Sequence, residues 1–150
     1  MKKNIIYTLV ALAALITLDS CKKKEDGIVG TWKVTGATFS PSVTISGTTY
    51  TDAYLFLFDE VCEQDDLFIF KDGNQVTFDE GATKCDDDDA QQTFATYSLN
   101  GNTLLLIEGD DDDDTTTFTN VSVDEDNLKG TLSSDISGTQ ANIIITWTRQ

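Results

Sequence analysis

The acidic runs Asp86–Asp89 and Asp110–Asp114 are where residue type and spacing first suggest chemistry. Hard cations such as calcium take six to eight oxygen ligands at ~2.3 to 2.6 Å. Asp86, Asp88, Asp110 and Asp112 are the side chains such a site would draw on. Contiguous aspartates in extended chain point alternately away from one another, and neither run has the spaced D-x-D-x-D-G turn that wraps an ion. Solubility and charge repulsion account for the runs more simply. Catalysis finds less support. The chain has no histidine, hence no imidazole base, no Ser-His-Asp arrangement and no zinc site of the usual kind. Two carboxyl groups about 5 to 9.5 Å apart in a cleft can cleave glycosides, yet nearly all the acids here fall in turn segments. A metal-binding or catalytic thiol at Cys62 or Cys85 would also need partners that histidine cannot supply. The expectation is a protein without catalytic residues, cofactor or resident metal.

The elements that position the remaining residues begin with a leader. Ile5 to Leu18 is 14 residues of mostly apolar character behind Met1-Lys2-Lys3-Asn4, the charged start and short apolar stretch of a secretory signal. It is too short to span a bilayer, which needs ~20 apolar residues. Leu18-Asp19-Ser20-Cys21 resembles the lipobox of bacterial lipoproteins, apart from the charged Asp19. That resemblance implies cleavage before Cys21, acylation of its thiol with palmitate among the chains, and a tether to the membrane. The alternative is an ordinary secretory signal that happens to hold a cysteine. Lys24-Glu25-Asp26 resembles the lysine-plus-acidic export signal of some surface lipoproteins, and reads equally well as a plain solvated arm. The expected location is the outer membrane, on its periplasmic face or at the cell surface. The chain then divides into a signal peptide (1–20), a lipidated Cys21 with a flexible arm (21–26) and one domain (27–150).

With Cys21 consumed by lipid, Cys62 and Cys85 remain as an even pair in an oxidising compartment, where a disulfide is the default. Residues 27–150 carry 23 acids against five bases (Lys33, Lys71, Lys84, Lys129 and Arg149), a net charge of −18. Such a body repels phosphate backbones and argues against nucleic-acid binding. It repels anionic headgroups too, so the domain should stand off the membrane on its arm.

Within that domain, short period-2 runs alternate with turn residues, the pattern of antiparallel β structure. Eight strands are expected, at Thr31–Phe39, Leu67–Lys71, Gln75–Phe78, Thr93–Leu99, Thr103–Ile107, Thr115–Val123, Asn127–Ser133 and Gln140–Arg149. Asp72-Gly73-Asn74, Asn100-Gly101-Asn102 and Asp124 to Asn127 supply turn chemistry between neighbours. Ala53–Val61 puts Tyr54, Leu57, Phe58 and Val61 at helical spacing behind Asp52, a candidate N-cap, and also reads as a buried strand. Ser42–Tyr50 reads as a long loop or irregular ribbon. Eight antiparallel strands joined by hairpins can close on themselves and remove both edges.

Gly30-Thr31-Trp32 resembles the G-x-W motif of lipocalins, in which the Trp sits at the closed end of the barrel beneath a basic residue of the last strand. The resemblance implies that Arg149 covers Trp32, a stacking worth ~0.5 to 2 kcal/mol. Cys62-Glu63-Gln64-Asp65-Asp66, then Phe68, Phe70, Asp72-Gly73, Asp79-Glu80-Gly81 and Cys85, looks like the middle of the lipocalin-like domain of small bacterial lipoproteins, and Tyr97 to Leu104 continues it. The implied fold is all-β, an eight-stranded antiparallel up-and-down barrel. Independently of any family, Phe68, Phe70, Val76 and Phe78 occupy alternate positions on two hairpin strands and so share one face.

The expected function is binding of a small, partly apolar ligand inside the barrel by a monomeric, lipid-anchored protein. The lining would come from Trp32, Val34, Phe68, Phe70, Phe78, Tyr97, Leu106 and Phe118, with Tyr54 to Phe58 over the mouth. The alternative is a surface interaction protein whose barrel is filled and whose acidic loops contact an envelope partner.

Overall fold

The computed structural model describes residues 27–85, 92–109, 114–136 and 138–150. The leader, Cys21 and the arm lie outside these residues, as do Asp86, Asp88, Asp110 and Asp112. Nine strands form one sheet: β1 (Gly30–Ile45), β2 (Thr48–Asp52), β3 (Leu67–Lys71), β4 (Gln75–Asp79), β5 (Gln92–Asn100), β6 (Thr103–Glu108), β7 (Thr115–Val123), β8 (Asn127–Ile136) and β9 (Thr139–Arg149). From β3 to β9 each strand pairs antiparallel with the next, β3 pairs with β1, and β1 pairs with β9. The expected eight-stranded up-and-down barrel is therefore closed.

The extra strand comes from the stretch Ser42–Tyr50. β1 runs on past its last β9 partner, Phe39↔Ile143, turns at Ser46 and Gly47, and returns as β2. Both turn residues have positive φ (50° and 83°), the conformation a tight hairpin demands. The barrel thus carries a two-stranded ribbon here, the second of the two readings the sequence offered, a long loop or an irregular ribbon.

The strands form because their apolar residues recur every second position, so one face can be buried. In β9, Ala141, Ile143, Ile145 and Trp147 are buried, whereas Ile144 between them is exposed. Bulges on β1 and β7 shift this parity. On β1 the register slips between Val34 and Gly36, so the inward row Trp32, Val34 continues as Ala37, Phe39, Val43. On β7 it slips between Thr119 and Ser122, and the inward row passes from Phe118 to Val121. An extra residue on one strand bends it and tightens its twist, which helps a small barrel close.

The expected helix over Ala53–Val61 is shorter and divided. A single turn, α1 (Tyr54–Leu57), is followed by a 3₁₀ turn at Val61–Asp65. The N-cap is Ala53, without a side-chain cap, rather than the expected Asp52; Asp52 Oδ1 accepts the Tyr54 N–H at 2.8 Å from one residue further out, and the backbone leaves helical geometry at Phe58. Tyr54, Leu57 and Phe58 pack on the core, while Val61 is exposed. The Tyr54 hydroxyl lies 3.4 Å from the carbonyls of both Val34 and Gln64. Val34 follows the last β1–β3 pair, Lys33↔Leu67, so Tyr54 fills the wall where the two strands part.

Candidate functional site

One end of the barrel is sealed. Gly30, the 72–74, 100–102 and 124–126 turns and the C-terminus all gather there, tied by bonds such as Tyr97 N–H to Asn74 O (2.8 Å) and Arg149 N–H to Asp126 O (2.8 Å). Trp32 and Arg149 are direct register partners on β1 and β9. The guanidinium carbon lies 4.1 Å from the Trp32 ring centroid, so the expected stacking is present. The guanidinium is also fixed by three carbonyls: Nε donates to Glu125 O (2.8 Å), Nη1 to Val29 O (2.9 Å) and Nη2 to Gly27 O (2.9 Å). Trp32 is fully buried and its indole N–H donates to Ile28 O at 2.7 Å. Gly30 has φ 147°, and a Cβ there would collide with the Arg149 guanidinium. The glycine of the G-x-W motif is thus required twice, by its backbone and by its neighbour.

Above this plug the interior rises in rungs. Trp32, Val34, Phe70, Tyr97, Leu106 and Phe118 are buried, Phe68 packs against them, and Phe78 is half-buried. All eight residues expected to line the interior therefore fall at inward positions or pack on the core. Aromatic pairs link them at edge-to-face angles: Phe70–Tyr97 (5.1 Å), Phe68–Phe78 (5.8 Å) and Phe118–Trp147 (5.3 Å). Trp32 and Tyr97 belong to the floor, the tyrosine hydroxyl donating to Lys71 O at 3.2 Å. Gly130 leaves room for Phe118, since a Cβ there would sit 3.1 Å from the Phe118 Cβ. Sequence reasoning missed other buried residues, among them Ala37, Phe39, Val43 and Ile143. The β1 bulge hid Ala37 and Phe39, and Val43 lies in the stretch read as a loop or ribbon.

At the opposite end lie the α1 and 3₁₀ turns and the β4–β5 and β6–β7 connections. Phe56, on the segment expected to cover the mouth, meets Phe39 and Tyr50 edge-to-face at 5.5 and 5.1 Å. Cys62 and Cys85 are joined in a disulfide with Cα atoms 5.2 Å apart, clamping the 3₁₀ turn to the β4–β5 connection. Asp65 reinforces the clamp: its Oδ2 accepts the N–H groups of Ala82 (2.9 Å) and Thr83 (3.0 Å). Desolvation works against its charge, but these N–H donors hold its carboxyl below the usual range. Gly81 has φ 72° and its missing Cβ makes room for the Asp65 carbonyl.

Asp66 behaves oppositely. It is 9% exposed, and its Oδ1 and the Glu80 Oε2 are buried without a hydrogen-bond partner. Desolvation, then the charges of Glu80, Asp65, Glu63 and Asp79, push the Asp66 carboxyl up to about 7. Glu108, also at this end, is raised by desolvation and by Asp114. Sequence reasoning noted these acids only as part of a pattern. The signal that could have found the pair is the D-G hairpin register, which sets Phe68 opposite Phe78 and, extended one step past the last pair Leu67↔Asp79, brings Asp66 and Glu80 to the same side.

Among the described residues, one trio of potential metal ligands gathers within 4.8 Å of one another, Glu60, Cys62 and Cys85. Its sulfurs are spent in the disulfide. An open groove of about 580 Å³ runs between Thr35–Phe39 of β1, Thr51 and Asp52 of β2, and Tyr54 and Leu55. None of the eight expected lining residues borders it.

No curated protein matches the chain closely enough to lend it a function. The family model of the lipocalin-like domain matches residues 28–130, which span the G-x-W strand, both cysteines, the acidic rung and the barrel through the start of β8. With the barrel closed, one end sealed by Trp32 and Arg149 and the central clamp in place, the chain belongs to the lipocalin-like domain family.

Proposed function

We propose that the protein is an extracytoplasmic, lipid-anchored barrel that takes a small, partly apolar molecule through its unsealed end. The observation that carries this is the polarity of the barrel: one end is plugged by the Trp32–Arg149 stack, and aromatic rungs rise from that plug to the other. A preformed apolar surface of this kind binds by removing apolar ligand area from water, at ~25 cal/mol per Å². The apolar leader, Cys21 and the disulfide together support export to an oxidising compartment and anchoring there. The neutral dye phenylnaphthylamine, titrated into the folded protein, should show saturable fluorescence enhancement that a bulky substitution facing the interior, Ala141→Trp, abolishes. Absence of saturable binding would count against an interior site.

A second reading is favoured by one observation. Leu55, Phe56 and Val61 are exposed at 65%, 44% and 76% along the segment beside the outer groove. An envelope partner docking there would make this a scaffold with a filled barrel. Dye binding that is abolished by Leu55→Ser but untouched by Ala141→Trp would favour it.

A further inference from the structure

The inward rungs of the β3–β4 hairpin change chemistry as they climb. Register pairs Phe70 with Val76 and Phe68 with Phe78; Asp66 and Glu80 follow just beyond the last pair, Leu67↔Asp79, where the same alternation continues to the inward face and Glu80 acts on Asp66. Like charges directly opposite one another in a sheet are destabilising, and buried carboxylate oxygens without donors cost more. Here Asp66 is nine-tenths buried, Glu80 acts on it, and among the described residues Asp66 Oδ1 and Glu80 Oε2 have no hydrogen-bond partner. Asp65 is half satisfied: its Oδ2 ties down the Ala82 and Thr83 N–H groups, while its Oδ1 is buried without a partner among the described residues, like those of Asp66 and Glu80. The charged groups acting on Asp66 are Glu63 and Asp65 of the 3₁₀ turn and Asp79 and Glu80 at the end of β4, all acids. Lys33 on β1 acts on Asp65.

Resting on the interior-binding reading above, we infer that the ligand is an organic cation, an apolar molecule bearing an ammonium group that sits between Asp66 and Glu80 while its apolar part descends past Phe68 and Phe78. An ammonium brings three N–H donors and one positive charge, which answers two unpartnered oxygens and a surplus of negative charge at once. A calcium ion would need six to eight oxygens at ~2.3 to 2.6 Å, and the acids of this rung form no trio of ligand atoms within 4.8 Å of one another. Asp66 is half protonated near neutrality, so affinity for the cation should rise with pH through about 7 as its full charge appears.

The test uses the mature chain, residues 21–150, carrying Cys21→Ser and with its disulfide formed, since every strand pairing lies within residues 30–149. Dodecylammonium, dodecanol and dodecanoate, kept below micelle-forming concentrations at about pH 8, where Asp66 is ionised, compete for bound phenylnaphthylamine. The expected result is that dodecylammonium binds about tenfold more tightly than dodecanol and that dodecanoate binds most weakly. In D66N/E80Q the ammonium should fall to the affinity of the alcohol while the alcohol is unchanged. D72N/D126N, which removes the same charge at the sealed end, should keep the preference. The melting temperature of D66N/E80Q, expected at or above that of the parent, reports that it folds. Equal affinities for ammonium and alcohol, a preference that survives D66N/E80Q, or one lost equally in D72N/D126N would overturn the cationic head and leave the interior site standing. Binding of none of the three would overturn both.

Discussion

Arg149 does three things with one planar group: it stacks on Trp32, ties Gly27, Val29 and Glu125 to the last strand, and excludes a side chain at residue 30. A lysine keeps the charge but not the fork of donors. Arg149→Lys should therefore cost about 2 kcal/mol, read as a lower urea midpoint at unchanged slope; a loss under about 0.5 kcal/mol would show that the stack is ornamental. Asp66 sets a pH dependence. Its folded-state carboxyl titrates at about 7 against 3.8 in the unfolded chain, so its contribution to stability is fully present below 3.8 and is lost as pH rises through about 7. Glu108, also raised, acts in the same direction. Asp65 and Asp124 are lowered, and their contributions disappear only at pH values below 3.8. Between 3.8 and about 7 the melting temperature should fall as pH rises, and Asp66→Asn should flatten that slope. A slope identical in the variant would assign the effect to other groups. At this scale the Trp32–Arg149 contact was legible through the resemblance of Gly30-Thr31-Trp32 to the lipocalin G-x-W motif, which implies a basic residue of the last strand over the ring. The Asp66–Glu80 rung was not, because acids next to turns ordinarily face water and only the register says that these two point inward.

At the scale of elements, strand existence followed from period-2 alternation and from turn residues that accept positive φ, such as Gly73, Asn74 and Gly101. What alternation could not reveal was the bulge. One extra residue at Thr35 moves the inward row from Val34 to Ala37 and Phe39, and nothing in the local composition marks it. The helix was overestimated for a related reason: Tyr54, Leu57 and Phe58 do share a face, but a one-turn segment gains little from helical cooperativity, and packing against the gap between β1 and β3 decides its length. The disulfide is the strongest element-level constraint. Cys62 and Cys85 are 23 residues apart, and opening that loop in C62S/C85S should cost roughly 3 kcal/mol in the chain-entropy model. Chemical denaturation of the two proteins would measure it, with the far-ultraviolet spectrum of the variant remaining that of a β protein. A variant as stable as the parent would mean that Asp65 alone holds the clamp.

At the scale of the whole molecule, residues 27–150 carry a net charge of −18 and follow a lysine-rich stretch, Lys22 to Lys24; on the lipid-anchored proposal, repulsion from anionic headgroups should hold the barrel away from the membrane. Anchoring belongs to Cys21 on this proposal. Cys21→Ser should abolish incorporation of labelled palmitate and move the protein from the membrane to the soluble fraction of the envelope; a variant that stays on the membrane would contradict lipid attachment. Closure was legible at this scale because eight antiparallel strands joined mainly by hairpins can close on themselves, and the G-x-W resemblance implies that they do. Whether space remains inside was not legible, since the same aromatic residues can fill a barrel or line one. A crystal structure of the mature chain grown with phenylnaphthylamine decides this most directly. The dye should lie inside the barrel against Phe68, Phe78 and Phe118, above the Trp32–Arg149 plug; an interior closed by side chains, with the dye in the outer groove beside Leu55 or bound nowhere, would contradict interior binding.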